Sequence, residues 1–385
     1  MSGKNKIYFD NAASTPVAPE VTEAMLAIQK DNFGNPSSIH SFGRSAKVLL
    51  EDTRDIIAAY IGSKSKEIFF TSGGTEANNM AIKGLAFKNL HSDKKHIISS
   101  LIEHSAVFET LKYLNERFDF EITFVKPDRN GFINIKDIEK EIKSETFLIS
   151  IMHSNNETGV INDIPRISEL AHSKGIVFHS DSVQSIGKTY FDVSELGVDL
   201  ATISAHKIYG PKGIGALYIN ENVKIDNLIH GGPQERNLRA GTENIPAIAG
   251  FKSAIELLKD NYEKDIQNYK ILNSFVSNKL KEYFGNKISF NTPEENSLPN
   301  ILNISFNPGE FNFDPEMLLI MLDMNDISVS GGSACTSGAI KPSRVLLELG
   351  KDELSALASL RISFGRYNTI NEAEKFIEVL RNIVI

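Results

Sequence analysis

The sequence predicts an α/β protein, in which helices cover a mostly parallel sheet and a smaller α+β domain follows. Three observations predict it. Short runs rich in Ile, Val and Phe recur between Ile68 and Ile203, amphipathic stretches separate most of them, and several runs pass directly into polar or glycine-rich residues.

Taken in order, Val21, Ala24, Met25 and Ile28 recur at helical spacing behind Pro19, which suits a first helical turn. A second helix is expected from about Ser45 to Ile61, stopped by Gly62. Strands are then expected at Ile68–Phe70, His96–Ile98, Ile122–Val125, Phe147–Ile151, Ile176–Phe178 and Leu200–Ile203. A long helix is expected after Pro246. Beyond it, alternating strands such as Leu302–Phe306 and Leu360–Phe364 mix with helices, the last of which carries Phe376, Val379, Leu380 and Ile383. The expected division is residues 16–259 for the larger domain and residues 1–15 with 260–385 for the smaller one, which carries Cys335.

Charge and composition exclude some classes. A net charge of −8 over 385 residues argues against direct nucleic-acid or membrane-surface binding, which needs clustered Lys and Arg. No apolar run is long enough for a bilayer, and the Met1–Lys6 segment lacks the apolar stretch of a signal peptide, so a cytoplasmic location is expected. A single cysteine excludes an internal disulfide and a cysteine-based metal cluster. Cys335 lies in the small, polar run Gly331-Gly332-Ser333-Ala334-Cys335-Thr336-Ser337-Gly338, whereas a structural cysteine usually sits among apolar residues, so it reads as a reactive thiol. His153, His172, His179 and His230 show no ligand spacing, and no metal site is expected.

Open α/β sheets bind ligands at the carboxyl ends of their strands. The first strand leads into Ser72-Gly73-Gly74-Thr75 and then helix-forming residues, which aims free backbone N–H groups at an anion. No Gly-Lys-Ser/Thr closes this turn, so it is not a nucleotide P-loop, and no G-x-G-x-x-G follows a strand. The run ending at His179 places Asp181 at the sheet edge, and the run ending at Ile203 leads to His206 and Lys207 in a glycine-rich loop. Each feature alone has an ordinary explanation as connection, cap or solvated lysine. Together they match the anion cradle, carboxylate and amine that a pyridoxal-phosphate site needs.

Asp10-Asn11-Ala12-Ala13, Gly34-Asn35-Pro36-Ser37-Ser38, Thr71-Ser72-Gly73-Gly74-Thr75-Glu76, Glu103-His104, Asn155-Asn156-Glu157, Ser204-Ala205-His206-Lys207, Arg239-Ala240-Gly241-Thr242 and Ser333-Ala334-Cys335-Thr336-Ser337 resemble the motifs of cysteine desulfurases. The likeness is to the iron–sulfur-assembly and nitrogen-fixation type, within the class V aminotransferase group of fold-type I pyridoxal-phosphate-dependent enzymes. It runs from Asp10 to about Thr369.

The resemblance implies pyridoxal 5'-phosphate on Lys207 as a Schiff base, with Asp181 at the ring nitrogen, Gln184 at the ring oxygen and His104 stacked on the ring. It implies Gly74, Thr75, Ser204 and His206 around the phosphate, with Thr242 supplied by the other subunit of a homodimer. Asn156 and Arg361 would bind the carboxylate of L-cysteine, and Arg361, opposed to Leu360 and Ile362 on an alternating strand, is expected to face a cleft. Cys335 would take the sulfur as a persulfide and pass it to an acceptor protein, an iron–sulfur scaffold or a tRNA-thiolation enzyme. The sequence stops at Ile385, without the docking tail that many scaffold-feeding members carry, which is expected to count against delivery to a scaffold and leaves tRNA thiolation or another sulfur acceptor open. The same residues also admit another class V enzyme with Cys335 idle, an aminotransferase or a selenocysteine lyase, and a sulfur-relay protein whose turnover needs a partner.

Overall fold

The computed structural model describes residues 6–311, 314–331 and 341–384. Its strands are β1 (Ile7–Tyr8), β2 (Ile68–Thr71), β3 (His96–Ser100), β4 (Glu121–Val125), β5 (Thr146–Ser150), β6 (Val177–Asp181), β7 (Leu200–Ser204), β8 (Gly215–Ile219), β9 (Ile288–Phe290), β10 (Ile301–Phe306), β11 (Ile327–Ser328) and β12 (Ser359–Ser363). Seven of them form one sheet in the order β2-β8-β7-β6-β5-β3-β4.

The continuous apolar runs are explained by burial on both faces: every residue of β3, β5 and β7 is buried. Only β4, at the sheet edge, is largely open. Neighbouring strands from β7 through β4 run parallel, and β8 is antiparallel to both β2 and β7. As a result the carboxyl ends of β2, β5, β6 and β7 all point to one edge of the sheet.

Each of the six predicted strands of this sheet forms, with its bounds shifted by one to three residues. The structure adds β8, which the sequence reading lacked. The second helix, Ser41–Ile61, begins four residues before the expected start because the His40 ring accepts a hydrogen bond from the Gly43 N–H and caps it. It ends as expected at Gly62, which has φ +71°.

The helix Ile245–Phe284 is 40 residues long, capped by the Asn244 side chain on the Ala247 N–H. Its first half packs Ile248, Phe251, Ile255 and Leu258 into the apolar core beneath the large sheet. Tyr269, Leu272, Val276 and Leu280 of its second half belong to a separate apolar core with Ile304, Leu360, Ile362 and Phe376. That second core lies against the antiparallel sheet β12-β10-β9. Val345 and Leu349, late in the chain, nevertheless join the core of the large sheet.

The chain's beginning is tied to its end. β1 pairs in parallel with β11, Asp10 bridges to Ser363, and the Asn11 Nδ2 donates to the Ser363 carbonyl at 2.9 Å. Among the described residues no helix is long and apolar enough to cross a membrane.

Candidate active site

A cavity of about 500 Å³ opens at the common edge of β2, β5, β6 and β7, the place where an open α/β sheet exposes its strand ends. Gly74, Thr75, His104, Asn156, Asp181, Gln184, Ser204, His206, Lys207 and Arg361 all line it. Thr242 is exposed and is not among its lining residues. Cys335 lies outside the described residues.

The turn after β2 is shaped by two glycines. Gly73 has φ +149°, which a side chain disfavours, and a Cβ on Gly74 would come within 3.0 Å of Val183 Cγ2 in the loop after β6. With no side chain there, the helix Gly74–Lys88 brings its first turn, whose N–H groups have no partner within the helix, to the cavity wall that Ser204 also lines.

One turn along that helix, Asn78 Nδ2 donates to Asp181 Oδ2 at 2.7 Å, while the Val183 N–H bonds Asp181 Oδ1 at 3.1 Å. Asp181 is thereby fixed at the end of β6 from two sides. Gln184 donates its Nε2 to the Ala12 carbonyl at 2.9 Å, and its Oε1 is buried with no partner. His104 caps the next helix, Ser105–Phe118, by accepting the Ala106 N–H at 3.1 Å on Nδ1.

Lys207 sits in a short turn following β7. Its Nζ donates to the carbonyls of Ala12 and Ala13 at 2.6 and 2.7 Å, so the N-terminal segment forms one wall of the site. Loss of hydration lowers its ammonium to about 8, assisted by the positive charge of Arg361 and opposed by Asp10 and Asp181. About a tenth of the amine is therefore free at pH 7, far more than in an ordinary lysine at about 10.4, as suits a carbonyl-trapping lysine. The Lys207 main-chain carbonyl accepts a 2.8 Å hydrogen bond from Nζ of Lys188, a residue only 4% exposed. Burial, then the charges of Lys207, Lys212, Lys188 and His104, push the neighbouring His206 ring down to about 4, so it is neutral.

Arg361 is 8% exposed and faces the cavity between Leu360 and Ile362, both wholly buried. Its Nη1 donates to the Asn156 carbonyl at 2.9 Å, and its Nη2 to Asp10 at 2.8 Å and to Ser330 at 3.1 Å. Its Nε is buried without a partner. Behind His104, the buried Glu103 accepts from Ser100 and from the Met152 N–H, and burial raises its carboxyl to about 8.

Sequence reasoning gave no role to Asp10, Asn78, Ser330 or Lys188. Asp10 stands in a motif already singled out, and Asn78 follows Gly74 by one helical turn, so the spacing that puts it beside Asp181 was available. Nothing local distinguished Ser330 or Lys188.

No group of three or more His, Cys, Asp or Glu among the described residues is arranged to hold a metal ion. The donor set does fit pyridoxal phosphate. It offers an amine lowered toward neutrality, a carboxylate held from two sides, the Gln184 side-chain amide and a helix N-terminus with Thr75 and Ser204 beside it.

The chain matches the family described as Aminotransferase class-V over residues 7–376. It is 46% identical over 381 residues to the cysteine desulfurase IscS of Dictyoglomus turgidum, spanning 99% of this chain and 95% of that protein. Among solved structures it is similar to a NifS-like protein, with TM-score 0.91, 37% identity, and coverage of 98% of this chain and 99% of that one. It is also similar to SspA in complex with cysteine, with TM-score 0.79, 38% identity, and coverage of 94% and 100%. With similarity of this extent joined to a shared fold, the chain belongs to the class V aminotransferase family and, within it, to the cysteine desulfurases.

Proposed function

We propose that this chain uses pyridoxal phosphate held on Lys207 to move the sulfur of L-cysteine to Cys335, releasing L-alanine. The observation that carries the reading is the convergence on one cavity of the Lys207 amine, the Asp181 carboxylate and the helix N-terminus at Gly74 and Thr75. When bound, the cofactor supplies an electron sink that acidifies the α-carbon of an amino acid.

The chain's own residues do the rest. Gly74, Thr75, Ser204 and His206 would hold the phosphate, Asp181 would keep the ring nitrogen protonated, Gln184 would hydrogen-bond the ring oxygen by turning its side-chain amide from the Ala12 carbonyl, and His104 would cover the ring. Arg361, with a free Nε, and Asn156 take the substrate carboxylate. Lys207, lowered toward neutrality, accepts and returns the α-proton. The Cys335 thiolate attacks the substrate sulfur, the bond from sulfur to the β-carbon breaks, and that carbon keeps the electron pair and is protonated to give alanine. Sulfur leaves as a persulfide on Cys335.

The described residues flanking 332–340 support this role. Ser330 donates to Asp10 at 2.7 Å and lines the cavity, and Ser343 donates to Glu157, another lining residue, so described residues on both sides of 332–340 stand at the cavity wall.

The same reading includes a homodimer whose second subunit brings Thr242 to the phosphate. The apolar, exposed Phe33 (73%) and Ile39 (91%), with Phe42 stacked on Phe33, support a covered face. It also keeps residues 16–259 as the cofactor-binding domain and 1–15 with 260–385 as the smaller one, supported by the separate core of Tyr269, Leu272, Ile304, Leu360 and Phe376, with Val345 and Leu349 packing across onto the large sheet's core. The persulfide passes in the cytosol to an iron–sulfur scaffold or a tRNA-thiolation enzyme.

The test is production of sulfide and alanine from L-cysteine by the cofactor-loaded full chain with a reductant present. Equimolar products, lost in Cys335→Ala, are expected. A Cys335→Ala protein as active as the wild type would refute sulfur transfer through this thiol.

A further inference from the structure

Glu76 and Arg239 each stand in a motif of the sequence, and nothing so far gives either a task. Glu76 lies in the first turn of the helix Gly74–Lys88, and its Oε2 accepts the Ser72 N–H at 2.8 Å. A carboxylate there occupies one amide of the turn and sets a negative charge where the helix N-terminus would otherwise attract a phosphate. Arg239 meets it with two hydrogen bonds, Nε to Oε1 at 2.8 Å and Nη2 to Oε2 at 3.2 Å. Both side chains are largely withdrawn from solvent, at 18% exposure for Glu76 and 23% for Arg239.

Burial by itself would raise the Glu76 carboxyl, but hydrogen bonds from Arg239 and Ser72 outweigh it and hold the group below the usual carboxylate range. Glu76 is thus an anion at neutral pH, and its charge has to be met by a cation if the turn is to accept a second anion. Arg239 is fixed for this purpose. Four residues earlier in the chain, the buried Glu235 accepts hydrogen bonds from the Phe70 N–H at 2.8 Å and from Arg54 at 2.8 and 2.9 Å, which bolts the segment leading to Arg239 onto β2, the strand that ends at the turn.

We propose that Arg239 is a positioning residue for the cofactor's phosphate, pairing Glu76 so that the helix N-terminus at Gly74 and Thr75 is left free to receive a dianion. The proposal rests on the pyridoxal-phosphate reading above. It concerns electrostatics at the phosphate end of the cavity, so it separates a ligand with phosphate from one without.

The experiment uses the full chain stripped of cofactor and titrated, in parallel, with pyridoxal phosphate and with pyridoxal, followed by absorbance. Arg239→Met is expected to weaken pyridoxal phosphate by on the order of tenfold, as an uncompensated carboxylate near a phosphate would, and to leave pyridoxal unchanged. Adding Glu76→Gln to Arg239→Met removes the stranded charge and should restore most of the affinity. Arg239→Lys keeps the charge and should lose much less than Arg239→Met. Equal weakening toward both ligands, or no recovery in the double variant, would overturn the proposal and assign Arg239 a merely structural role. Wild-type protein that bound pyridoxal phosphate no better than pyridoxal would strike the cofactor reading itself, an outcome recognisable because it needs no variant.

Discussion

Arg54→Met should be one of the most damaging single substitutions outside the cavity. Arg54 and Glu235 bury their side chains to 2% exposure each, and the guanidinium also donates to the Ile68 carbonyl at 2.5 Å. The partner stands in an unusual backbone. Glu235, Arg236 and Asn237 have φ of 42°, 56° and 67°, three consecutive non-glycine residues in the left-handed region, at a cost of about 1 kcal/mol or more apiece. Methionine would fill the volume but leave a buried carboxylate with the Phe70 N–H as its remaining bond. Breaking one side of a buried pair costs about 3–5 kcal/mol. With unfolding entropy of about 2 cal/mol/K per residue, a loss of about 4 kcal/mol over a chain of this length lowers Tm by about 5 °C. Differential scanning calorimetry on the two proteins measures the shift. Adding Glu235→Leu to Arg54→Met should recover part of it, because an apolar pair of similar volume can replace a buried ion pair with little penalty. A shift below about 1 °C for Arg54→Met would refute the idea that this pair holds the strained turn.

Three further outcomes follow from the cavity. The Lys207 amine, lowered to about 8 chiefly by burial, should make the rate of covalent pyridoxal-phosphate capture rise about tenfold per pH unit below that value and level off above it; a rate flat from pH 6 to 9, read by borohydride trapping, would contradict this. Burial, then the charge of Lys207, lowers Lys188 to about 7 against opposition from Asp265, whereas an unfolded lysine holds its proton to about 10.4. Between those values the unfolded chain binds a proton that the folded one lacks, so stability rises with pH and the penalty is fullest below pH 7. Paired urea titrations should show wild type gaining on Lys188→Met by up to about 1.4 kcal/mol per pH unit above neutrality, and a constant difference would count against it. Arg361→Lys loses the planar fork that spans Asp10, Ser330 and the Asn156 carbonyl, so KM for L-cysteine should rise by about 10–100-fold with a smaller change in kcat; an unchanged KM would remove Arg361 from substrate binding.

The parts legible in the sequence were those whose signal is local. Continuous apolar runs marked the buried strands, and the polar residues at their ends marked the edge where the cavity lies. Long-range pairings left no such mark. β8 inserts antiparallel between β2 and β7, and Ile7 pairs with Ile327, relations that no window of sequence contains. Buried charges escaped for the same reason. Arg54 lies on an amphipathic helix and looks like a surface residue until Glu235, 181 positions away, is brought beside it. Nothing in the sequence marks Lys188 for burial either, because its acceptor is a main-chain carbonyl of Lys207. Gly74, Thr75, Asp181, Ser204, His206 and Lys207 reached the cavity together because they follow strand ends, whereas Asp10 is held there by contacts with Arg361 and Ser330 near the other end of the chain.

That tie between the chain's two ends bears on how the protein is born. The carbonyls of Ala12 and Ala13 that hold the Lys207 amine are set by Asn11 and Ala12, which bond the carbonyl and hydroxyl of Ser363. During synthesis the large sheet can assemble as its strands emerge, since domains fold from the N-terminal side as they leave the ribosome. The wall against Lys207 cannot close until Ser363 is also free. A nascent chain arrested before β12 should therefore have formed the large sheet and still lack the wall that faces the Lys207 amine.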